Sequence, residues 1–232
     1  NWLFMALARG GTIVLFDGSP MSPTASRLFD IAQDEKLTFF GVSAKFIDSS
    51  NKENLKPMQT HDLSNLKTIA STGSVLSPAS FDYVYREIKS DIHLASLSGG
   101  TDICGCFIAG IPTQPVYRGE IQGPCLGMAA NVFDESGNPA AVNVKGELVC
   151  TIPFPSKPLG FWGDVDDQKY KAAYFEGYPG VWTHGDFAAI SETGGYTMFG
   201  RSDATLNSKG VRIGTAEIYR VVENIESIRE CM

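Results

Sequence analysis

TIVLFDGSPMSPTASRLFDIAQDEKLTFFGV, residues 12–42, decides the fold class. Residues 12–16 form a β-branched, apolar run that reads as a buried strand. Asp17-Gly18-Ser19-Pro20 reads as a turn. Over residues 24–35, Leu28, Phe29, Ile31 and Ala32 gather on one side, as on a helix. Residues 38–42 form a second buried strand. Strand, helix, strand favours a parallel sheet layered with helices, the α/β class.

The rhythm continues outward. Residues 2–8 read as a short apolar helix and residues 49–62 as a polar loop. Residues 66–70 form a third strand, leading into Ser71-Thr72-Gly73-Ser74. Ser77 is placed to cap a helix that Pro78 starts, with Leu76 and Phe81 spaced as a hydrophobic staple. Phe81, Val84, Tyr85 and Ile88 then give one apolar face. A fourth strand, residues 92–97, ends at Ser98-Gly99-Gly100. After about Ile111 prolines and glycines become frequent. Short strand patterns at 130–134, 147–152 and 196–199 mark a β-rich region.

Composition narrows the function classes. With 19 Lys+Arg against 26 Asp+Glu, the net charge is −7, which argues against a nucleic-acid binder. A 43% hydrophobic share supports a packed core. The five cysteines form no C-x-x-C pair and only three histidines accompany them, so no zinc site is expected. Scattered cysteines of odd number suggest reduced thiols and a cytoplasmic location. No apolar run reaches the length of a membrane span. Both ends break off within patterns, so the chain reads as an internal piece of a longer protein.

Three constellations carry chemistry. Ser98-Gly99-Gly100-Thr101-Asp102 follows a parallel strand, where ligands of open α/β sheets bind. Two glycines admit a close ligand, Thr101 offers a hydroxyl to phosphate, and Asp102 offers a hard oxygen to Mg²⁺. A plain glycine-rich turn is the alternative. In Trp182-Thr183-His184-Gly185-Asp186 the carboxylate of Asp186 suits the two hydroxyls of a ribose, or merely a turn, and His184 reads as a packed residue. In GRSDATLNSKGVRIGTAEIY, residues 200–219, Arg201 and Arg212 flank Asp203, and Gly200, Gly210 and Gly214 suggest specified backbone angles. That stretch fits a solvated loop, a phosphate site or a joint between domains.

Taken in order, these stretches and Ser71-Thr72-Gly73-Ser74 resemble the adenylate-forming superfamily of acyl-CoA synthetases, firefly luciferases and peptide-synthetase adenylation domains. Asn1-Trp2-Leu3, Tyr83-Val84-Tyr85-Arg86, Ser98-Gly99-Gly100-Thr101-Asp102-Ile103, Val116-Tyr117-Arg118-Gly119-Glu120-Ile121-Gln122 and residues 182–186 look like the branch that activates acetoacetate. The resemblance implies an AMP-forming acid–thiol ligase using acetoacetate, ATP with Mg²⁺, and coenzyme A; another short- or medium-chain acyl-CoA synthetase, or a nucleotide-binding module without chemistry, is the alternative. It implies that Leu76, Ser77, Ser98, Gly99 and Gly100 lie near the adenine. Thr101 would bind phosphate, Asp102 Mg²⁺, Asp186 and Arg201 the ribose, and Arg212 the α-phosphate. Asp203 would be a hinge, and Gly210 would lie by the entering pantetheine arm. It divides the chain into an α/β region (1–110), a β-rich subdomain (111–202) and the start of a small α+β C-terminal domain (203–232).

The same resemblance places a phosphate loop before Asn1 and a catalytic lysine after Met232, so the 232-residue piece alone is expected to be inactive. Three departures stand out. Asp102 replaces a usual Glu, His184 a usual Thr, and Gly99 the tryptophan that walls the acyl pocket of acetate-specific members. Gly99 is therefore expected to admit a four-carbon acid.

Overall fold

The computed structural model describes residues 2–203, 206–208, 211–213, 218, 221, 222, 225 and 228. The chain divides into two units, Asn1–Ser96 and Leu97–Met232. In the first unit the order is α1 (Trp2–Ala8), α2 (Arg27–Asp34), β1 (Phe39–Ser43), α3 (Ala44–Lys52), α4 (Pro57–Thr60), β2 (Thr68–Thr72), α5 (Pro78–Tyr83) and β3 (His93–Ser96). The three strands form a parallel sheet in the order β1-β2-β3. Phe40, Ile69 and Leu94 pair across it in register, and all three are buried. Phe29 of α2 packs on that row, its ring centroid 6.0 Å from Phe40 and 5.6 Å from Phe46.

Two helix starts follow directly from the sequence. Ser77 Oγ accepts from the Ser80 N–H at 3.2 Å, with Pro78 in the first turn. Ser43 Oγ accepts likewise from the Phe46 N–H at 3.1 Å. Each such cap stabilises its helix by about 1 kcal/mol. After α5 a π turn, Val84–Ile88, continues the helix. Its i→i+5 bonding resets the helical phase. Tyr83 is fully buried, donating from its hydroxyl to the Leu55 carbonyl at 3.1 Å, while the expected Tyr85 is only half-buried.

Two expectations fail in this unit. Residues 12–16 are not a strand: no described strand pairs with them, and Leu15 and Phe16 are exposed. Strand propensity is realised only where a neighbouring ladder takes up the backbone groups. Residues 49–62 are not simply loop. They contain the end of α3 and all of α4, because Ala44, Phe46, Ile47 and Ser50 make one buried stripe while Lys45 and Lys52 point outward. Ser50 is polar but satisfied, its hydroxyl donating to the Phe46 carbonyl at 2.8 Å.

The second unit begins with β4 (Ser98–Gly100), β5 (Gly105–Ala109) and β6 (Gly123–Pro124), a small antiparallel sheet. Then come β7 (Ala130–Phe133), β8 (Gly146–Cys150), α6 (Gln168–Phe175), β9 (Trp182–Ile190) and β10 (Tyr196–Arg201). These strands form an antiparallel sheet in the order β10-β9-β8-β7. A last hairpin pairs β11 (Leu206–Ser208) with β12 (Val211–Ile213). The β-rich region is thus as expected. Ser98-Gly99-Gly100, expected as a turn closing a strand, is instead a strand of its own. Ile103, Phe107, Cys150, Phe154, Tyr170 and Trp182 form a core cluster. Among the described residues no helix is long and apolar enough to cross a membrane.

Candidate functional site

Strand β9 builds one wall of a cleft by simple alternation. Trp182, His184, Asp186 and Ala188 are buried, while Thr183, Gly185 and Phe187 are partly open. Period two therefore sends an aromatic, an imidazole and a carboxylate to one face. His184 packs edge-on against Phe107, centroids 4.7 Å apart, and its Nε2 lies 3.5 Å from Asp186 Oδ2. Neither ring nitrogen makes a hydrogen bond among the described residues.

Arg201 stands directly opposite Asp186 in the β9–β10 register, with its Nη1 3.8 Å from Asp186 Oδ1. The guanidinium is held mainly by Asp203. Nε donates to Oδ1 at 2.9 Å, Nη2 donates to Oδ2, and Nη1 reaches the His184 carbonyl at 3.4 Å. Gly185, at φ +82°, makes this possible: a Cβ there would lie 2.6 Å from Arg201 Nη2. Behind the loop, the largely buried Glu147 of β8 accepts from the Gly185 N–H at 2.8 Å.

The carboxyls respond to their surroundings. Burial raises the pKa of Asp186, and His184 and Arg201 only partly offset this. The hydrogen bond from Arg201 holds Asp203 below the ordinary carboxylate range. Glu147 is raised, chiefly by burial, despite bonds from Ser202 and Gly185. One arginine thus serves two carboxylates unequally, and the bidentate fork goes to Asp203.

The opposite wall comes from β4 and the turn after it. A Cβ at Gly99 would lie 2.1 Å from the Gly105 carbonyl oxygen and 2.5 Å from Cys106 Cα. Gly99 is therefore needed for the close approach of β4 to β5. It is not simply a wall removed from an acyl pocket, since any side chain here must displace backbone. A Cβ at Gly100 would meet Asp102 Oδ1 at 2.0 Å and His184 Cε1 at 3.1 Å. Thr101 and Asp102 are exposed. Asp102 Oδ2 accepts from the Tyr174 hydroxyl at 2.8 Å, and burial together with that carboxylate pushes the Tyr174 pKa up to about 12.

The cleft between these walls has a volume of about 1360 Å³. Gly99, Gly100, Thr101, Asp102, Arg201 and Asp203 all line it, and Asp186 stands behind, paired with Arg201 and His184. Ser98, on β4, pairs with Ile108 of β5. Leu76 and Ser77 lie in the first unit, one buried and one capping α5. The backbone of Arg212 pairs with Asn207 in the last hairpin, while its side chain, like Gly210, lies outside the described residues.

Some lining residues carried no signal in the sequence. Tyr174 sits on a helix without a strong apolar stripe, and Glu147 reads as the first residue of an ordinary strand. The reverse also occurs, because residues 116–122 prove structural. The Gln122 amide accepts from the Ile111 N–H at 2.9 Å and donates to the Gln114 carbonyl at 2.7 Å. Glu120 accepts from Thr193 at 2.6 Å and Ser191 at 3.1 Å in the β9–β10 hairpin.

Comparison with known proteins follows the same lines. A family model described as AMP-binding enzyme matches residues 1–157. Acetoacetyl-coenzyme A synthetase of Rhizobium meliloti (strain 1021) is 54% identical over 232 residues, which is 100% of this chain and 36% of the relative. Acetoacetyl-CoA synthetase of Gallus gallus is 48% identical over 233 residues, covering 100% of this chain and 35% of that protein. The solved structure of acetoacetyl-CoA synthetase from Streptomyces lividans superposes with a TM-score of 0.89 at 43% identity, covering 99% of this chain and 35% of that one. The chain thus spans only about a third of the length of these relatives, as the 36% coverage shows. Motif order, cleft and family model agree: the chain belongs to the AMP-binding enzyme family.

Proposed function

We propose that the full protein containing this chain is an AMP-forming acid–thiol ligase that converts acetoacetate to acetoacetyl-CoA. The observation that carries this reading is the convergence of Thr101, Asp102, Arg201 and Asp203 on one cleft, with Asp186 behind them. In the first step a carboxylate oxygen of acetoacetate attacks the α-phosphorus of ATP, and the bond to pyrophosphate breaks. In the second the coenzyme A sulfur attacks the acyl carbon, and AMP leaves.

Asp186 and Arg201 hold the ribose, since a carboxylate accepts from two adjacent hydroxyls and the guanidinium beside it partly offsets the cost of its burial. Thr101 donates to phosphate. Arg212 meets the α-phosphate. The backbone from Ser98 to Gly100 contributes to the adenine site. Asp203 serves as the hinge between a large domain and a small one beginning at 203. The large domain joins an α/β region, residues 1–110, to a β-rich region, residues 111–202. Gly210 borders the pantetheine arm. The working location is the cytoplasm.

Asp102 fits the expected Mg²⁺. Its side chain is exposed beside the phosphate-binding threonine, and only Oδ2 accepts the tyrosine's bond. Mg²⁺ usually takes one or two carboxylates together with substrate phosphates. When bound, the metal neutralises charge on the phosphates.

Pyrophosphate exchange with the full-length protein over a panel of acids tests this reading. Acetoacetate should give the highest kcat/KM. Exchange that depends on no acid, or that prefers acetate or a medium-chain acid, would contradict it.

A further inference from the structure

Asp102 is a short side chain on an exposed turn, where a carboxylate left to itself samples several rotamers. It is tied to α6 by the bond from the Tyr174 hydroxyl, 72 residues away in sequence. The tyrosine is itself unusually well fixed. Its ring stacks on Trp182 with centroids 3.8 Å apart and an interplanar angle of 14°. Trp182 is buried in β9, edge-on to Phe154.

The helix carrying Tyr174 is anchored at its other end. Asp164 accepts from the N–H groups of Lys169 at 3.0 Å and Tyr170 at 2.8 Å, and the Tyr170 hydroxyl donates to the Pro158 carbonyl at 2.9 Å. A rigid platform therefore delivers one hydroxyl to one carboxylate oxygen. The same strand that presents Asp186 supplies that platform through Trp182.

We propose that Tyr174 is a positioning residue: stacked on Trp182, it holds Asp102 in the rotamer that presents its free oxygen to the metal–nucleotide complex. The proposal rests on the assignment of Asp102 to Mg²⁺ above. Tyr174 and Asp102 then act as one unit.

A double-mutant cycle on the full-length protein tests it, with affinity for Mg·ATP measured calorimetrically in the absence of acid. A hydrogen bond to a charged group is worth about 1.5–3 kcal/mol, so Tyr174→Phe should weaken Mg·ATP binding about tenfold or more. Asp102→Asn should weaken it at least as much, and the double variant should bind no worse than Asp102→Asn alone. Affinity for ATP in excess chelator should be the same in Tyr174→Phe and wild type. Phe keeps the stacked ring, and an unchanged Tm would confirm an intact fold.

Additive losses, or an equal loss for metal-free ATP, would overturn the inference. So would a Tyr174→Phe affinity equal to wild type while Asp102→Asn is weakened; that result would leave the Asp102 assignment standing. If Asp102→Asn binds Mg·ATP normally, the metal assignment falls and the inference falls with it.

Discussion

On the wall built from β8, β9 and β10, the charged groups are bonded to one another or to backbone: Arg201 to Asp203, Asp186 beside Arg201 and His184, Glu147 to Gly185. On the wall built from β4, Thr101 and Asp102 stand exposed, and Asp102 is steadied by one tyrosine hydroxyl. Burial accounts for the contrast at Asp186 and Glu147, whereas Arg201 and Asp203 are exposed and hold each other by a two-point contact. Asp186 and Glu147 are largely withdrawn from water, and a withdrawn carboxylate needs partners in place before any ligand arrives. Thr101 and Asp102 remain open to water. One wall is thus cross-bonded, and the other stands open.

The largest effect should come from breaking the first wall at Arg201. Arg201→Ala strips Asp203 of its fork and leaves Asp186 with His184 alone. In the full-length protein, kcat/KM for ATP should fall roughly 100-fold or more, about 3 kcal/mol of transition-state stabilisation. Arg201→Lys should recover little, because a single ammonium cannot hold Asp203 in two places. Steady-state kinetics with varied ATP reads both.

Next in size are the glycines, one on each wall. Gly185→Ala forces a side chain into positive φ and against Arg201, a cost of about 1–3 kcal/mol. Gly99→Ala drives a methyl into the β5 backbone. Both should lower Tm by several degrees in thermal unfolding, on the order of 2–4 °C per kcal/mol. Gly99→Trp should cost more still. A Gly99→Trp protein of wild-type Tm that merely switches to acetate would show that Gly99 acts only as an opened pocket wall.

The smallest effect is electrostatic, and its sign differs between neighbours. Asp186 has a raised folded pKa, so it favours the native state most below its unfolded value of 3.8, a benefit lost as pH rises through the folded value. Asp203 has a lowered pKa, so its contribution is present above 3.8 and lost as pH falls through the folded value. Asp186→Asn should therefore flatten a fall in Tm as pH rises above 3.8, whereas Asp203→Asn should remove a gain over the range below it. Identical pH profiles for the two variants would contradict the unequal sharing of Arg201.

Much of this is legible in the sequence where local rules act alone. Ser77-Pro78 marks a helix start, and the β-rich region after Ile111 is visible from its turn residues and short runs. Thr101, Asp102, Arg201 and Asp203 stand out by their chemistry and their glycine neighbours, without any knowledge of a cleft. What is not legible depends on partners. The run at 12–16 has strand composition but no ladder among the described strands. The role of Gly99 lies in the backbone of β5, and that of Tyr174 in a carboxylate 72 residues away. Residues 116–122 stand out as a motif, yet Glu120 and Gln122 spend their polar groups on holding loops.

A crystal structure of the full-length protein with AMP tests the central claim most directly. The account predicts the ribose hydroxyls on Asp186 and Arg201 and the phosphate beside Thr101, all within the cleft described above. AMP bound at another site, with Thr101 and Asp186 free of contact, would contradict it.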